Sequence, residues 1–107
     1  MNKRNIILIG MPGAGKSSVG VILAKVLGYE FIDTDLVIQH REKRLLREII
    51  ADEGNEGFLA IENEVNATLE ADKSVIAPGG SAIYGKEAME HFKEIGTIVY
   101  LKLSYED

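Results

Sequence analysis

Asn5-Ile6-Ile7-Leu8-Ile9-Gly10-Met11-Pro12-Gly13-Ala14-Gly15-Lys16-Ser17 is the stretch on which the fold of this 107-residue chain turns. Its first half is an apolar, mostly β-branched run without polar alternation, the pattern of a central parallel strand buried on both faces. Gly10 ends the run, and residues 10–17 then satisfy G-x-x-x-x-G-K-[ST] at every fixed position. The spacing has a physical cause. Glycines let successive backbone N–H groups converge on one point, and the helix that opens near Lys16 adds its unpaired amides and positive dipole end. The Lys16 ammonium reaches the β- and γ-phosphates of ATP, and the Ser17 hydroxyl is left to ligate Mg²⁺. The cradle so defined comprises Gly10, Met11, Pro12, Gly13, Ala14, Gly15, Lys16, Ser17 and Ser18. A merely structural glycine turn is the competing reading, and it leaves a lysine and a serine at the buried end unexplained.

Outward from this loop the chain alternates strands and helices. Val19, Ile22, Leu23 and Val26 recur at helical spacing, and Gly28 follows where a left-handed helix cap is wanted. Glu30-Phe31-Ile32 reads as a second strand with Asp33-Thr34-Asp35 at its carboxyl end, where open α/β sheets place their ligands. A helix from about Leu36 and another carrying Leu45, Leu46, Ile49 and Ile50 are expected to be short and separate, because Gly54 and Gly57 interrupt the pattern. Phe58, Ile61, Val65 and Leu69 form one face of a longer helix closing near Asp72-Lys73. Ser74 to Ala77 is a third strand, broken by Pro78-Gly79-Gly80; a helix over Lys86 to Lys93 stops at Gly96; Thr97 to Leu101 is the fourth strand. Such alternation implies parallel pairing through right-handed crossovers, hence an α/β fold, a three-layer α/β/α sandwich.

Composition bounds the rest. An apolar share of 46% and a charged share of 27% fit one ordinary globular domain over residues 1–107. The longest apolar run, Ile6 to Ile9, is far below the roughly 18 residues of a membrane span, and the basic Met1-to-Arg4 start is followed by too short a run for a signal peptide. With no cysteine there is no disulfide framework, in keeping with a cytoplasmic protein. A net charge of −5 repels polyanions and argues against nucleic acid as a partner. Arg41, Lys43, Arg44 and Arg47 form a local basic cluster, read as a solvated helix face with Glu42 and Glu48 as ion-pair partners. Within it His40 reads as a solvated helix residue rather than a base. Phe58 and Tyr100 are expected in the core, while Tyr84 lines or covers an acceptor pocket. Ser104-Tyr105-Glu106-Asp107 looks like a helix N-terminus, so the chain is expected to be the first part of a longer protein.

Asp33 and Asp35 bracket Thr34, so in extended geometry both carboxylates point to the same side. One could hold the metal through water while the other accepts the proton of an attacking hydroxyl; alternatively Asp35 only caps the next helix.

Taken together, G-M-P-G-A-G-K-S-S-V-G at Gly10 to Gly20, F-I-D-T-D at Phe31 to Asp35 and P-G-G-S-A at Pro78 to Ala82 resemble the shikimate kinase family in order and spacing. The resemblance implies a nucleoside-monophosphate-kinase-like P-loop fold and ATP- and Mg²⁺-dependent phosphorylation of the 3-hydroxyl of shikimate, in aromatic amino-acid synthesis. It implies Lys16 and Ser17 at the phosphates and metal, Asp33 as an outer-sphere metal ligand, and Asp35 at the substrate hydroxyl as the base. Gly79 and Gly80, with Ser81 beside them, would approach the small-molecule substrate through the backbone, which glycine permits. The family usually reads F-R-x-x-E where this chain has Phe58-Leu59-Ala60-Ile61-Glu62, so Leu59 stands in place of a carboxylate-gripping arginine. Ser81 replaces the third glycine of a G-G-G run, and the family's T-G-x-S-I segment gives way to Glu42-Lys43-Arg44-Leu45-Leu46. The family's lid and second carboxylate-binding arginine would lie beyond Asp107; Lys43, Arg44 or Arg47 are the substitutes nearest in sequence. Two alternatives accompany shikimate phosphorylation: a kinase of the same fold for another hydroxylated metabolite, and an ATP-binding module without turnover. The oligomeric state is not legible.

Overall fold

A computed structural model describes residues 4–10 and 16–101, apart from the side chains of residues 16 and 17. The Met11-to-Gly15 part of the phosphate cradle and the helix start read at Ser104 to Asp107 lie outside the described residues.

Among the described residues, four strands and four helices follow the sequence reading: β1 (Asn5–Gly10), α1 (Lys16–Leu27), β2 (Glu30–Asp33), α2 (Thr34–Glu42), α3 (Leu46–Ala67), β3 (Ser74–Ala77), α4 (Lys86–Ile95) and β4 (Gly96–Leu101). A 3₁₀ turn at Ala82–Tyr84 precedes α4. The sheet order is β2-β3-β1-β4, and every pairing is parallel. The two central strands, β1 and β3, are the most buried of the four and are covered on both faces. Ile7, Ile9 and Ile76 pack under Ala88 and Phe92 of α4, while Leu8 and Val75 pack against Ala24 of α1. A third cluster, Ile38, Ile49 and Val65, joins α2 to α3. Among the described residues, no helix is long and apolar enough to cross a membrane.

Several local expectations hold. Gly28 has φ +72° at the end of α1, the left-handed cap position, and Gly96 ends α4, its N–H bonding the Phe92 carbonyl from an extended backbone. The short helix expected before Gly54 does break from the next one there: α3 is two helical stretches joined at Gly54, whose φ +77° and ψ 172° are not helical, whereas Gly57 lies inside the second stretch and does not interrupt it. Two expectations need correction. In α1 the apolar positions Ile22 (64% exposed) and Val26 (76%) face outward together with Val19, and it is Gly20 and Ala24 that are buried. Small residues win because the helix lies close on the sheet: a Cβ at Gly20 would come 2.5 Å from Phe31 Cε1. Tyr100, placed in the core by its apolar strand, is 64% exposed, since β4 is an edge strand among the described residues and nothing there covers its outer half. Phe58 does pack, partly buried, on the α2–α3 cluster.

Asn5 opens β1 as a polar residue only 1% exposed. Its Nδ2 donates to the carbonyls of Ala71 and Ile95, both at 2.9 Å, and its Oδ1 accepts from the Ser74 N–H at 3.0 Å. One side chain thus ties the start of β1 to the start of β3 and the end of α4.

Candidate active site

Because all strands are parallel, their carboxyl ends lie along one edge of the sheet. Asp33 pairs in register with Ala77 at the end of β3, and β1, which ends at Gly10, is the other neighbour of β3. The phosphate-loop glycine, the Asp33-Asp35 pair and the Pro78-Gly79-Gly80 turn are thereby brought to the same edge, the ligand edge of open α/β sheets.

Asp33 has extended backbone (φ −98°, ψ 111°), and its Oδ1 accepts the Asp35 N–H at 2.9 Å. Asp33 is therefore the N-cap of α2, not Asp35, because the helix begins at Thr34 and needs an acceptor one residue before that. The strand alternation expected to align the two carboxylates ends at Asp33. Asp35 rides instead on the first turn of α2, where a negative charge also suits the helix dipole.

Asp35 is met from the other side by the Gly79 turn. A Cβ at Gly79 would lie 2.7 Å from Asp35 Oδ1 and 3.0 Å from Glu62 Oε2, so no residue other than glycine fits there without displacing a carboxylate. Gly80 is exposed and Ser81 half-buried. The Ser81 hydroxyl donates to Glu62 Oε1 at 2.7 Å, which leaves its oxygen lone pair and its backbone to offer an acceptor molecule.

Glu62 is the residue that sequence reasoning left without a role. It is 2% exposed on α3, and burial pushes its proton affinity above the ordinary carboxylate value of 4.5; the Ser81 hydrogen bond opposes the rise and the Asp35 charge adds to it. The signal was present: Glu62 sits one turn from Phe58 and Val65 on the apolar stripe of α3, where a charge has no packing use. The raised value has a signed consequence. As pH rises through the carboxylate range the unfolded chain loses this proton first, so Glu62 withdraws stability between 4.5 and its folded value. Glu62→Gln, which cannot ionise, is expected to gain stability relative to the parent as pH is raised from 4 toward 7, measured by thermal melts of both proteins; a pH-independent difference would refute the shift.

Next in α3, Asn63 Oδ1 accepts the Ala88 N–H at 3.0 Å and its Nδ2 donates to Glu87 at 3.0 Å. The hydrogen bond from Asn63 is the largest cause that lowers the Glu87 carboxyl below its ordinary value. A cleft of about 300 Å³ opens here between α3 and the segment from Ser81 to Glu87, with Leu59, Glu62, Tyr84 and Lys86 in its walls. Tyr84 is highly exposed and Leu59 is 36% exposed at its rim.

The basic cluster behaves mostly as a solvated face. Arg44 bonds Asp52 and Glu42 at 2.9 Å each and lies 3.5 Å from Glu53, and the Asp52 bond is the largest cause that raises its pKa. Arg41 reaches Glu64 at 3.3 Å, whereas the Glu48 carboxylate accepts from the Leu45 N–H at 2.8 Å instead of pairing with a cation. With Lys43 and the exposed His40, Arg44 borders a separate open cleft of about 500 Å³. Three carboxylates already engage Arg44, so it is a poor anion clamp for a ligand at Gly79.

The fold and motifs agree with known proteins. The family model described as shikimate kinase matches residues 12–107. Shikimate kinase 2 of Yersinia enterocolitica is 39% identical over 101 residues, which cover 94% of this chain and 58% of that protein. The solved shikimate kinase from Acinetobacter baumannii in complex with shikimate superposes with a TM-score of 0.84 at 37% identity, over 94% of this chain and 56% of the other. The enzyme from Aquifex aeolicus gives 0.81 at 33% identity, over 94% and 61%. The chain thus spans little more than half the length of these relatives.

Proposed function

The chain belongs to the shikimate kinase family, and on that premise we propose that its protein transfers the γ-phosphoryl group of ATP to a hydroxyl of a small metabolite, the 3-hydroxyl of shikimate being the first acceptor to test. The observation that carries this is the meeting of Asp35 and the Gly79 turn at the sheet edge where β1 hands over to α1. A cytoplasmic setting goes with it, supported by a sequence free of cysteine.

The residues present suit a magnesium nucleotide. A strand ending at Gly10 and a 12-residue helix opening at Lys16 frame the loop with the positive end of a helix dipole, and Ser17 and Asp33 supply the hard oxygen donors that Mg²⁺ prefers. Ser17 would hold the ion directly and Asp33 through water; when bound, Mg²⁺ neutralises charge on the phosphates. Main-chain N–H groups between Gly10 and Ser18, other than at Pro12, which has none, and the Lys16 ammonium bind and orient the polyphosphate. Asp35 accepts the proton of the acceptor hydroxyl, and the Gly79-Gly80 backbone positions that hydroxyl against it.

A second acceptor class is favoured by one observation. Leu59 lines the cleft beside Glu62, and a leucine cannot pair with a carboxylate, so a hydroxylated acceptor without one fits that wall. Coupled ADP-release assays comparing shikimate with sugars, polyols and nucleosides separate the two; release stimulated by none of them refutes turnover. Lys16→Ala is expected to weaken ATP·Mg²⁺ binding about 10- to 100-fold by titration calorimetry, the value of a hydrogen-bonded charge. Unchanged affinity would remove the basis of the phosphate cradle.

A further inference from the structure

Residues 79–88 pass across α3 and are fastened to it by two neighbouring side chains. Asn63 holds the far end, through the Ala88 N–H and Glu87. Glu62 holds the near end, through the Ser81 hydroxyl at 2.7 Å. Between Gly79 and Ala82 the chain closes a tight turn, the Ala82 N–H bonding the Gly79 carbonyl at 3.0 Å, and the Tyr84 N–H bonds the Ser81 carbonyl at 3.1 Å. Ser81 is therefore built rigidly into the turn that begins at Gly79. Whatever fixes its side chain also fixes the Gly79 backbone, and that backbone lies where Asp35 Oδ1 and Glu62 Oε2 converge.

We infer that Ser81 is a positioning residue: by hydrogen-bonding its hydroxyl to the buried Glu62 carboxyl, it holds the Gly79-Gly80 backbone in place beside Asp35, so that one acceptor molecule can touch both. The inference deepens the kinase reading and rests on it. Three features distinguish the pair from incidental packing. Glu62 is almost wholly buried, so a missing donor could not be replaced by bulk water. The hydrogen bond is short and involves a carboxyl group, the stronger class of such contacts. The turn already touches both carboxyl groups, since a Cβ at Gly79 would come 2.7 Å from Asp35 Oδ1 and 3.0 Å from Glu62 Oε2. A shift of the turn therefore changes the placing of the Gly79-Gly80 backbone relative to Asp35 directly, and small misplacements are what orientation-dependent catalysis feels. Nucleotide binding, which depends on residues 10–18, is expected to be insensitive to it.

The test uses Ser81→Ala, Ser81→Thr, Glu62→Gln and the double variant Ser81→Ala with Glu62→Gln, in the natural full-length protein. Loss of the hydroxyl in Ser81→Ala is expected to raise the acceptor KM about tenfold, the scale of one hydrogen bond to a carboxyl group, with the KM for ATP changing less than about twofold. Ser81→Thr keeps a hydroxyl and is expected to restore the parent value. Glu62→Gln keeps an acceptor oxygen for Ser81 and is expected to raise the acceptor KM less than Ser81→Ala does. The double variant is expected to be no worse than Ser81→Ala alone, as for two residues acting through one contact. In the free protein, the backbone amide resonances of Gly79, Gly80 and Asp35 are expected to move in Ser81→Ala and to stay in place in Ser81→Thr. Asn63→Ala provides the contrast: a lower melting temperature without movement of the Gly79 and Gly80 resonances. Equal rises in both KM values, additive losses in the double variant, or unmoved resonances in Ser81→Ala would each overturn the inference. Absence of turnover in the parent with every acceptor, with the resonances moving as expected, would instead overturn the kinase reading and show the pair to be structural only.

Discussion

Replacing Asp35 by asparagine is expected to lower kcat by about 10²–10⁴, the range supplied by a positioned general base, with the KM for ATP little changed. Asparagine preserves the shape that meets Gly79 and can still accept a hydrogen bond, so the substitution isolates the ability to take a proton. The size of the loss discriminates. Phosphoryl transfer through a loose transition state asks little of a base early on, and a loss under about tenfold would assign Asp35 to orienting the hydroxyl alone. A loss in the upper half of the range would make proton acceptance its main work. Single-turnover kinetics with acceptor in excess are the measurement, because they exclude product release. An asparagine variant as fast as the parent would show that the acceptor proton leaves by another route.

Asn5→Leu is expected to cost about 3–5 kcal/mol of folding free energy, measured by urea denaturation, since it strips partners from three groups at once. The carbonyls of Ala71 and Ile95 lose a donor and the Ser74 N–H loses an acceptor, at a residue only 1% exposed. Leucine has the same number and branching of side-chain heavy atoms and is the larger residue, so none of the loss would come from a cavity. Against a typical stability of about 5–15 kcal/mol the variant is marginal. Asn5→Asp is expected to fare no better, because it keeps the acceptor for Ser74 but sets a carboxylate against two carbonyl oxygens. A cost below about 1 kcal/mol would mean that water reaches all three groups.

The sheet could be read from sequence because β1, β2 and β3 are short apolar runs closed by glycine, aspartate and proline, and few structures besides a parallel sheet covered on both faces bury runs such as β1 and β3 so fully. The phosphate loop was legible because its chemistry fixes residue identities at fixed spacing. Helix faces were harder. In α1 the larger apolar residues mark the wrong side, since contact with Phe31 selects Gly20 by size rather than by hydrophobicity. Asp33 and Asp35 were found but their geometry was not, because the strand-to-helix junction falls between them and strand alternation stops applying. Asn5 escaped because its partners lie 66 or more positions away and nothing local announces them, whereas Glu62 was marked by its place on the apolar stripe of α3 and only its partner, Ser81, 19 positions on, was not legible.

The Asn63 contact has a consequence for how the molecule assembles. Helix α4 has Gly85 as its N-cap, which offers no side chain to the first turn, and the missing acceptor comes from α3. On its own the ten-residue segment Lys86–Ile95 is too short to persist as a helix in water. Its first turn is completed only once α3 has docked, which couples the two helices into one cooperative unit. Hydrogen exchange at the Ala88 amide then reports undocking of that unit rather than fraying of a helix end.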